Sequence, residues 1–248
     1  MIREERRKKK RRKFSITVFL GILIFLVLAV LVIMKVCRVK EVEVEGNVLY
    51  DAQTIQDTVL NDEYSWNSLY VFLKYRFRKP ETIPFVDTME ITMKSPSKLH
   101  ITVYEKGMMG YIYIPSIDEN AYFDKDGFVT ETSSEIISGV PMIQGLSCDE
   151  VVLYDKLPVD RDKLKELLTL TQILKKYELV PDSITYGIDH APVLAYGNVQ
   201  VIVGDTTTLT PKMERVVKIM PAIAGQSGVL HLERWTEETT NIVFDKTE

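Results

Sequence analysis

The sequence predicts an α+β protein in which a single N-terminal transmembrane helix precedes a βααββ domain and then a mostly β domain with two helices. One observation that predicts this class is the charge distribution. Residues 1–13 hold nine basic and two acidic side chains, residues 14–34 hold no charge, and residues 35–248 hold 22 basic and 33 acidic side chains. The other observation is periodicity, because short alternating apolar runs are interleaved with a few apolar stripes of helical spacing.

Residues 14–34 have the length and composition of a transmembrane helix. These 21 uncharged residues would form a helix of about 31 Å, which matches the hydrocarbon thickness of a bilayer. A cleaved signal peptide would have a shorter apolar core followed by small residues, whereas residues 32–37 read Val-Ile-Met-Lys-Val-Cys. The sequence therefore predicts an uncleaved anchor in the lipid bilayer.

The flanking charges predict the orientation of the anchor. Basic residues are retained on the cytoplasmic side, so residues 1–13 form a cytoplasmic tip and residues 35–248 are extracytoplasmic. The outer part carries a net charge of −11, which argues against a nucleic-acid binder, since phosphate binding needs a basic face. Cys37 and Cys148 lie 111 positions apart and are interpreted as unpaired.

The first predicted extracytoplasmic domain, residues 35–107, has the order strand, helix, helix, strand, strand. Residues 39–45 alternate as a strand does, and Asp51 has the right side chain to cap a short helix. A second helix is expected at residues 69–78, before Pro80. Two further strands are expected at residues 85–93 and 98–104.

The second predicted domain, residues 108–248, is mostly strand. Strands are expected at residues 111–114, 121–123, 128–132, 183–188, 193–196, 199–203, 228–235 and 241–244. Gly197-Asn198 predicts a two-residue hairpin turn. The inward stripe expected of a helix at residues 160–177 is Leu164, Leu167, Leu168, Thr171, Leu174 and Tyr177. A second helix should open at Thr210-Pro211, with an apolar face of Met213, Val216, Val217 and Met220.

Three groups of residues have spacings found in catalytic or metal sites, and each has a simpler interpretation. Ser95-Pro96-Ser97-Lys98 has the Ser-x-x-Lys spacing but lacks the partner motifs, so a turn is expected. Asp124-Lys125-Asp126-Gly127 lacks the carboxylates of a calcium loop and indicates a hairpin. His100, His190 and His231 have no metal-ligand spacing, and nothing orients Cys148 with His190 as a thiol–imidazole pair. The sequence predicts no catalytic residue, metal or cofactor.

The chain resembles the FtsQ/DivIB family of bacterial cell-division proteins over nearly its whole length. Residues 39–47, Val-Lys-Glu-Val-Glu-Val-Glu-Gly-Asn, are similar to the opening of the family's POTRA domain, and residues 97–106 to its last strand. Residues 122–129, Tyr-Phe-Asp-Lys-Asp-Gly-Phe-Val, resemble the first hairpin of the family's β-domain. Residues 140–146, Val-Pro-Met-Ile-Gln-Gly-Leu, resemble the stretch that follows it.

The resemblance implies a non-catalytic scaffold at the division septum of the cell membrane. It implies partners of the FtsB (or DivIC) and FtsL kinds, which are bitopic coiled-coil proteins. It also implies a link to septal wall synthesis, with the septal wall synthase as a further partner. In the family a partner docks as an added strand on the last long strands of the β-domain. The matching residues here are Gly228, Val229, Leu230, His231, Leu232, Glu233, Arg234 and Trp235.

Two alternatives to this interpretation stay open at the level of sequence. Both faces of a strand at residues 228–235 carry apolar side chains, so the segment could be an interior strand with Trp235 in the core. The whole chain could instead be a membrane-anchored extracytoplasmic wall hydrolase or peptidase, which would need a pocket with an activated nucleophile or a metal.

Overall fold

The computed structural model describes residues 2–187, 191–236, 238 and 242–247, with side chains from residue 16 onward. Three residues that the sequence interpretation uses therefore lie outside the described residues. They are His190, the last residue of the strand expected at 183–188 (Ile188), and the first residue of the strand expected at 241–244 (Asn241). The chain divides into two compact units, Met1–Glu105 and Lys106–Glu248. The fold is mixed α+β, as the sequence predicts.

The first unit begins with a candidate membrane-spanning helix. Helix α1 runs over Ile2–Val36. Its apolar part, Ile16–Val36, has a mean hydropathy of 3.3, and none of these residues is buried in the protein. A helix that exposes apolar side chains all round is suited to lipid rather than water. The described structure thus contains one helix long and apolar enough to cross a membrane, two residues further along than the predicted span.

The remainder of the first unit has the predicted βααββ order. Its elements are β1 (Glu41–Glu45), α2 (Ala52–Val59), α3 (Ser68–Phe77), β2 (Val86–Ser95) and β3 (Lys98–Glu105). The sheet order is β1-β3-β2, with β1 parallel and β2 antiparallel to β3. The Asp51 side chain caps α2 by accepting a hydrogen bond from the Thr54 N–H at 2.7 Å, as the sequence predicts.

The two helices of this unit cover one face of the sheet because their apolar residues meet those of the strands. Ile55 and Val59 of α2 and Val71 of α3 are fully buried, and they pack with Leu99 and Ile101 of β3 in one apolar core. Burying an apolar side chain of this size contributes about 1.5–3 kcal/mol, so this shared core holds the small sheet and its helices together.

The second unit is built on a nine-stranded mixed sheet with two helices. Its strands are β4 (Met108–Ile114), β5 (Glu119–Asp124), β6 (Val129–Ser133), β7 (Met142–Gln144), β8 (Ser183–Tyr186), β9 (Pro192–Tyr196), β10 (Val199–Ile202), β11 (Gly228–His231) and β12 (Val243–Lys246). The helices are α4 (Arg161–Lys176) and α5 (Leu209–Ile223). The strand order is β12-β11-β10-β9-β8-β7-β4-β5-β6.

The predicted hairpins of this unit are confirmed by the pairing. Tyr196 pairs with Val199 across the Gly197-Asn198 turn. The Asp124 carboxylate accepts hydrogen bonds from the N–H groups of Asp126 and Phe128, both at 2.9 Å. Residues 124–127 therefore form a hairpin turn rather than a calcium loop.

Both helices of the second unit differ in detail from the expected apolar faces. In α4 the side chain of Leu170 is fully buried, whereas Leu168 and Tyr177 are only half-buried. Helix α5 begins at Leu209, so its N-cap is Thr208 rather than Thr210. Its buried side chains are Leu209, Lys212, Met213, Val216 and Ile223.

The long strand expected at residues 228–235 is shorter in the structure. Strand β11 ends at His231, and the chain then turns, with the Trp235 N–H donating to the Leu232 carbonyl at 3.1 Å. The following strand is β12, Val243–Lys246, rather than residues 241–244. The sheet therefore continues past β11 by one more strand.

Candidate functional site

The candidate site is the end of the nine-stranded sheet that is formed by β12. Strand β12 pairs antiparallel with β11 in the register Gly228–Lys246, Val229–Asp245, Leu230–Phe244 and His231–Val243. Among the residues that the structure describes, no strand pairs with the other side of β12. Its outer edge therefore presents backbone polar groups to the surroundings, as edge strands do.

The register fixes which backbone groups of β12 point outward. The Thr247 N–H donates to the Ser227 carbonyl at 3.0 Å. In an antiparallel pair alternate residues face the same neighbour, so the N–H groups of Val243 and Asp245 also point toward β11. Those of Phe244 and Lys246 point to the open edge, where a further strand could accept their hydrogen bonds.

The expectation of an exposed edge along residues 228–235 is wrong. Strand β11 lies between two neighbours, since it pairs parallel with β10 on one side and antiparallel with β12 on the other. The physical reason is that residues 243–246 return antiparallel to β11 and satisfy its second edge. Trp235 is only 7% exposed, so this side chain is largely part of the protein interior.

The structure places the eight predicted partner-binding residues in two groups. Four of them form β11, where Gly228 and Leu230 are buried and Val229 and His231 half-buried: Gly228, Val229, Leu230 and His231. The other four form the turn after it, where Leu232 and Trp235 are buried and Glu233 and Arg234 exposed: Leu232, Glu233, Arg234 and Trp235.

A cleft of about 170 Å³ opens where this turn meets β12. It is lined by His231, Glu233, Arg234, Trp235, Val243 and Asp245. The imidazole of His231 lies between two carboxylates: its Nδ1 is 2.8 Å from Glu233 Oε1, and its Nε2 is 3.3 Å from Asp245 Oδ2. These contacts join β11, the turn and β12 through side chains as well as through the backbone.

A buried lysine, Lys212, stabilises the same region through hydrogen bonds to backbone carbonyls. The Lys212 side chain is 1% exposed, and its Nζ donates to the carbonyl oxygens of Val203 and Asp205, both at 2.7 Å. Burial lowers the pKa of Lys212, while the negative charges of Asp205 and Glu233 oppose that shift. Lys212 thus ties helix α5 to the segment that follows β10.

Gly228 allows β12 to approach β11 closely. A Cβ atom at this position would overlap the carbonyl oxygen of Asp245 and lie 2.7 Å from Cζ of Phe244. Glycine is therefore required for this pairing because no larger residue leaves space for the neighbouring strand.

The Ser-x-x-Lys segment has the geometry of a turn and not of a catalytic site. Ser95 ends β2 and Lys98 begins β3, and the two residues pair across the turn. The Lys98 ammonium forms ion pairs with Glu41 and Glu43. The hydrogen bonds that Lys98 donates to Glu43 and Glu41 raise the pKa of Lys98, so the side chain stays cationic and is unsuited to act as a general base.

The cysteines and histidines offer no metal or nucleophile site in the described parts of the chain. Cys37 and Cys148 are both buried and unpaired, and burial, aided by the charge of Asp149, raises the pKa of the Cys148 thiol. A raised pKa disfavours the nucleophilic thiolate. No group of three His, Cys, Asp or Glu side chains capable of holding a metal is found among the described residues.

Sequence reasoning missed the residues that form the open edge. The strand was expected two residues early, which left out Asp245 and Lys246, although Val-Phe-Asp-Lys has strand-forming residues at its start. The contact between Asp245 and His231 has no local signal, because it depends on the register of two strands that are 12 residues apart.

The chain is similar over 221 residues to the cell division protein DivIB of Clostridium botulinum, with 24% identity. The aligned region covers 86% of this chain and 84% of that protein. No family model matches the sequence. Because the aligned region is longer than either unit alone, the similarity includes residues of both units. It supports the resemblance to the FtsQ/DivIB family that the sequence motifs indicate.

Proposed function

We propose that this cell-division protein, a relative of DivIB, is a non-catalytic single-pass membrane scaffold that binds partner proteins by strand addition at β12. The single observation that carries the proposal is the open edge of the nine-stranded sheet, where the N–H groups of Phe244 and Lys246 point away from β11. A partner segment in extended conformation could satisfy these groups and add a tenth strand.

The edge has features that favour pairing with a specific partner over nonspecific association. Strand β12 is only four residues long and three of its side chains are exposed, two of them the charged Asp245 and Lys246. Short, charged edges resist indiscriminate association. The adjoining cleft has the exposed Arg234 in its lining, and arginine is a residue type that often anchors interfaces.

The proposed partners follow from the family resemblance. They are FtsB/DivIC-like and FtsL-like bitopic proteins, whose extracytoplasmic parts would meet residues 106–248 outside the cytoplasm. Of residues 228–235, His231, Glu233 and Arg234 would contribute through the cleft, and β12 would contribute through its backbone. We propose that the scaffold stands at the division septum, with residues 1–13 in the cytoplasm, and that it links these partners to septal wall synthesis.

A proline substitution on the open edge tests this proposal. Lys246→Pro removes an N–H group that points outward and leaves the hydrogen bonds between β12 and β11 intact, because Pro is tolerated where the N–H of an edge strand faces solvent. The matched control is Lys246→Ala, which removes the charged side chain and keeps the N–H. Full-length protein in detergent would be used to capture the extracytoplasmic parts of the host's FtsB/DivIC-like and FtsL-like proteins.

Strand addition predicts that the Lys246→Pro protein loses capture while the Lys246→Ala protein retains it. Leu232→Pro would be a poorer test, since Leu232 is fully buried and its N–H donates to the Ile202 carbonyl at 3.0 Å, so the variant would unfold locally. Equal capture by both Lys246 variants would move the interface away from β12.

A further inference from the structure

The first unit carries an aromatic and basic segment directly beside the end of the membrane span. Residues 64–79 contain six aromatic side chains, four basic side chains and no acidic one. Residues 35–248 carry a net charge of −11 overall. This segment, which we call the juxtamembrane segment, therefore differs in charge from the rest of the outer chain.

Backbone hydrogen bonds fix the juxtamembrane segment close to the span. The Ser68 N–H donates to the Cys37 carbonyl and the Val39 N–H donates to the Trp66 carbonyl, each at 2.8 Å. The span ends at Val36, so Trp66 lies within about two or three residues' length of its end. The headgroup layer on each side of a bilayer is about 5–8 Å thick, so a span that ends at Val36 would bring Trp66 close to the headgroups.

Helix α3 extends from this point with an apolar stripe that the protein covers only in part. Tyr70, Leu73 and Phe77 recur at helical spacing, and all three side chains are exposed, Phe77 by 83%. The ring of Tyr64 extends the stripe, since its centroid is 5.7 Å from that of Tyr70. The opposite side of the helix buries Val71 in the core.

Cationic side chains lie beside this stripe. Arg76, Arg78 and Lys79 are exposed, whereas the ammonium of Lys74 is paired with Asp62 at 2.8 Å. Exposed aromatic residues next to Lys and Arg are the composition of segments that lie in the membrane interface, where rings enter the acyl boundary and cations meet anionic headgroups.

We propose that the juxtamembrane segment binds the surface of the bilayer, with the stripe of α3 lying on lipid and Arg76, Arg78 and Lys79 on anionic headgroups. This inference rests on the membrane anchoring in the proposed function. It goes further by assigning the exposed stripe of α3 to lipid. The anchor and α3 together would then determine the orientation of the first unit relative to the membrane.

Tryptophan quenching tests the proposal in the intact chain. The protein has two tryptophans, and replacing both Trp66 and Trp235 by Phe gives a silent background. Phe77→Trp then places a probe at the far end of α3, about 15 Å from its start. Val48→Trp is the matched control, because Val48 is 86% exposed and lies in the same unit, beyond the far end of β1.

Each full-length variant would be reconstituted into vesicles of zwitterionic and anionic phospholipid with brominated acyl chains as quenchers. The proposal predicts that emission from the Phe77→Trp probe is quenched and that emission from Val48→Trp is not. Reversing the three cations (Arg76→Glu, Arg78→Glu, Lys79→Glu) should abolish quenching of the Phe77→Trp probe, as should omission of the anionic lipid.

The outcomes separate this inference from the function on which it rests. If the chain stays in the vesicles during an alkaline wash but shows no quenching at position 77, the inference alone is overturned. The stripe would then be a surface for a protein partner. Equal quenching at positions 48 and 77 would also overturn it. Removal of the unsubstituted chain by the wash would overturn both the anchor and the inference, whereas loss of partner capture by the Lys246→Pro variant concerns only the scaffold.

Discussion

Replacing Gly228 by Ala should detach β12 from the sheet without unfolding the second unit. The new Cβ would overlap the Asp245 carbonyl oxygen and press on the Phe244 ring. Overpacking of this kind costs about 1–3 kcal/mol, which increases the detached population about 5- to 150-fold. Side-chain burial contributes little to holding β12 in the sheet, because Phe244 is the only residue of this strand that is half-buried and the others are exposed.

Amide hydrogen exchange measures this detachment residue by residue. In the Gly228→Ala protein the amides of Val243 and Asp245, which point toward β11, should exchange faster by about the same factor, while those of β8 and β9 keep their rates. Gly107→Ala is the matched control, since a Cβ there would meet nothing within 4 Å. Unchanged exchange at Val243 and Asp245, or faster exchange throughout the sheet, would refute the reasoning.

Two further predictions concern stability. Lys212→Met should lower the free energy of unfolding of the second unit by about 2–5 kcal/mol, because the Val203 and Asp205 carbonyls lose their buried donor. Urea unfolding followed by Trp235 fluorescence in a Trp66→Phe background measures this free energy. A loss below about 1 kcal/mol would contradict the prediction. A hydrogen bond from Lys74 lowers the pKa of Asp62 from 3.8 to about 2, with Ser65 assisting. A carboxylate whose pKa is lower in the folded than in the unfolded state stabilises the folded state when the pH is above the unfolded-state pKa. This stabilisation is lost as the pH falls through the folded-state pKa. The first unit should therefore lose stability between about pH 4 and pH 2, and Asp62→Asn should flatten that dependence when Trp66 fluorescence reports unfolding; an equally steep dependence in the variant would refute it.

Local signals predicted the elements whose formation depends on neighbouring residues. The Asp51 cap and the Gly197-Asn198 hairpin each rest on contacts within a few positions of the chain. The βααββ order of the first unit follows from local apolar periodicity. The sequence could not predict β7, because this three-residue strand pairs in parallel with β4 and β8, which are distant in sequence. Such pairing is decided by tertiary packing rather than by local propensity.

The candidate site was harder to predict for the same reason. Apolar residues at 228–235 indicate a strand, but whether that strand lies inside the sheet depends on whether another segment pairs with it. Here residues 243–246 do so. The burial of Lys212 also has no sequence signal, because its ammonium is satisfied by the carbonyls of Val203 and Asp205, which only the folded chain brings together.

The most direct test of the proposed strand addition is amide exchange at β12 with and without the extracytoplasmic part of the proposed FtsB/DivIC-like partner. The Phe244 and Lys246 amides point to the open edge and should exchange freely in the isolated protein. Partner binding should protect these two amides, while residues 129–133 at the opposite edge of the sheet keep their rates. Binding that leaves Phe244 and Lys246 unprotected would contradict the account.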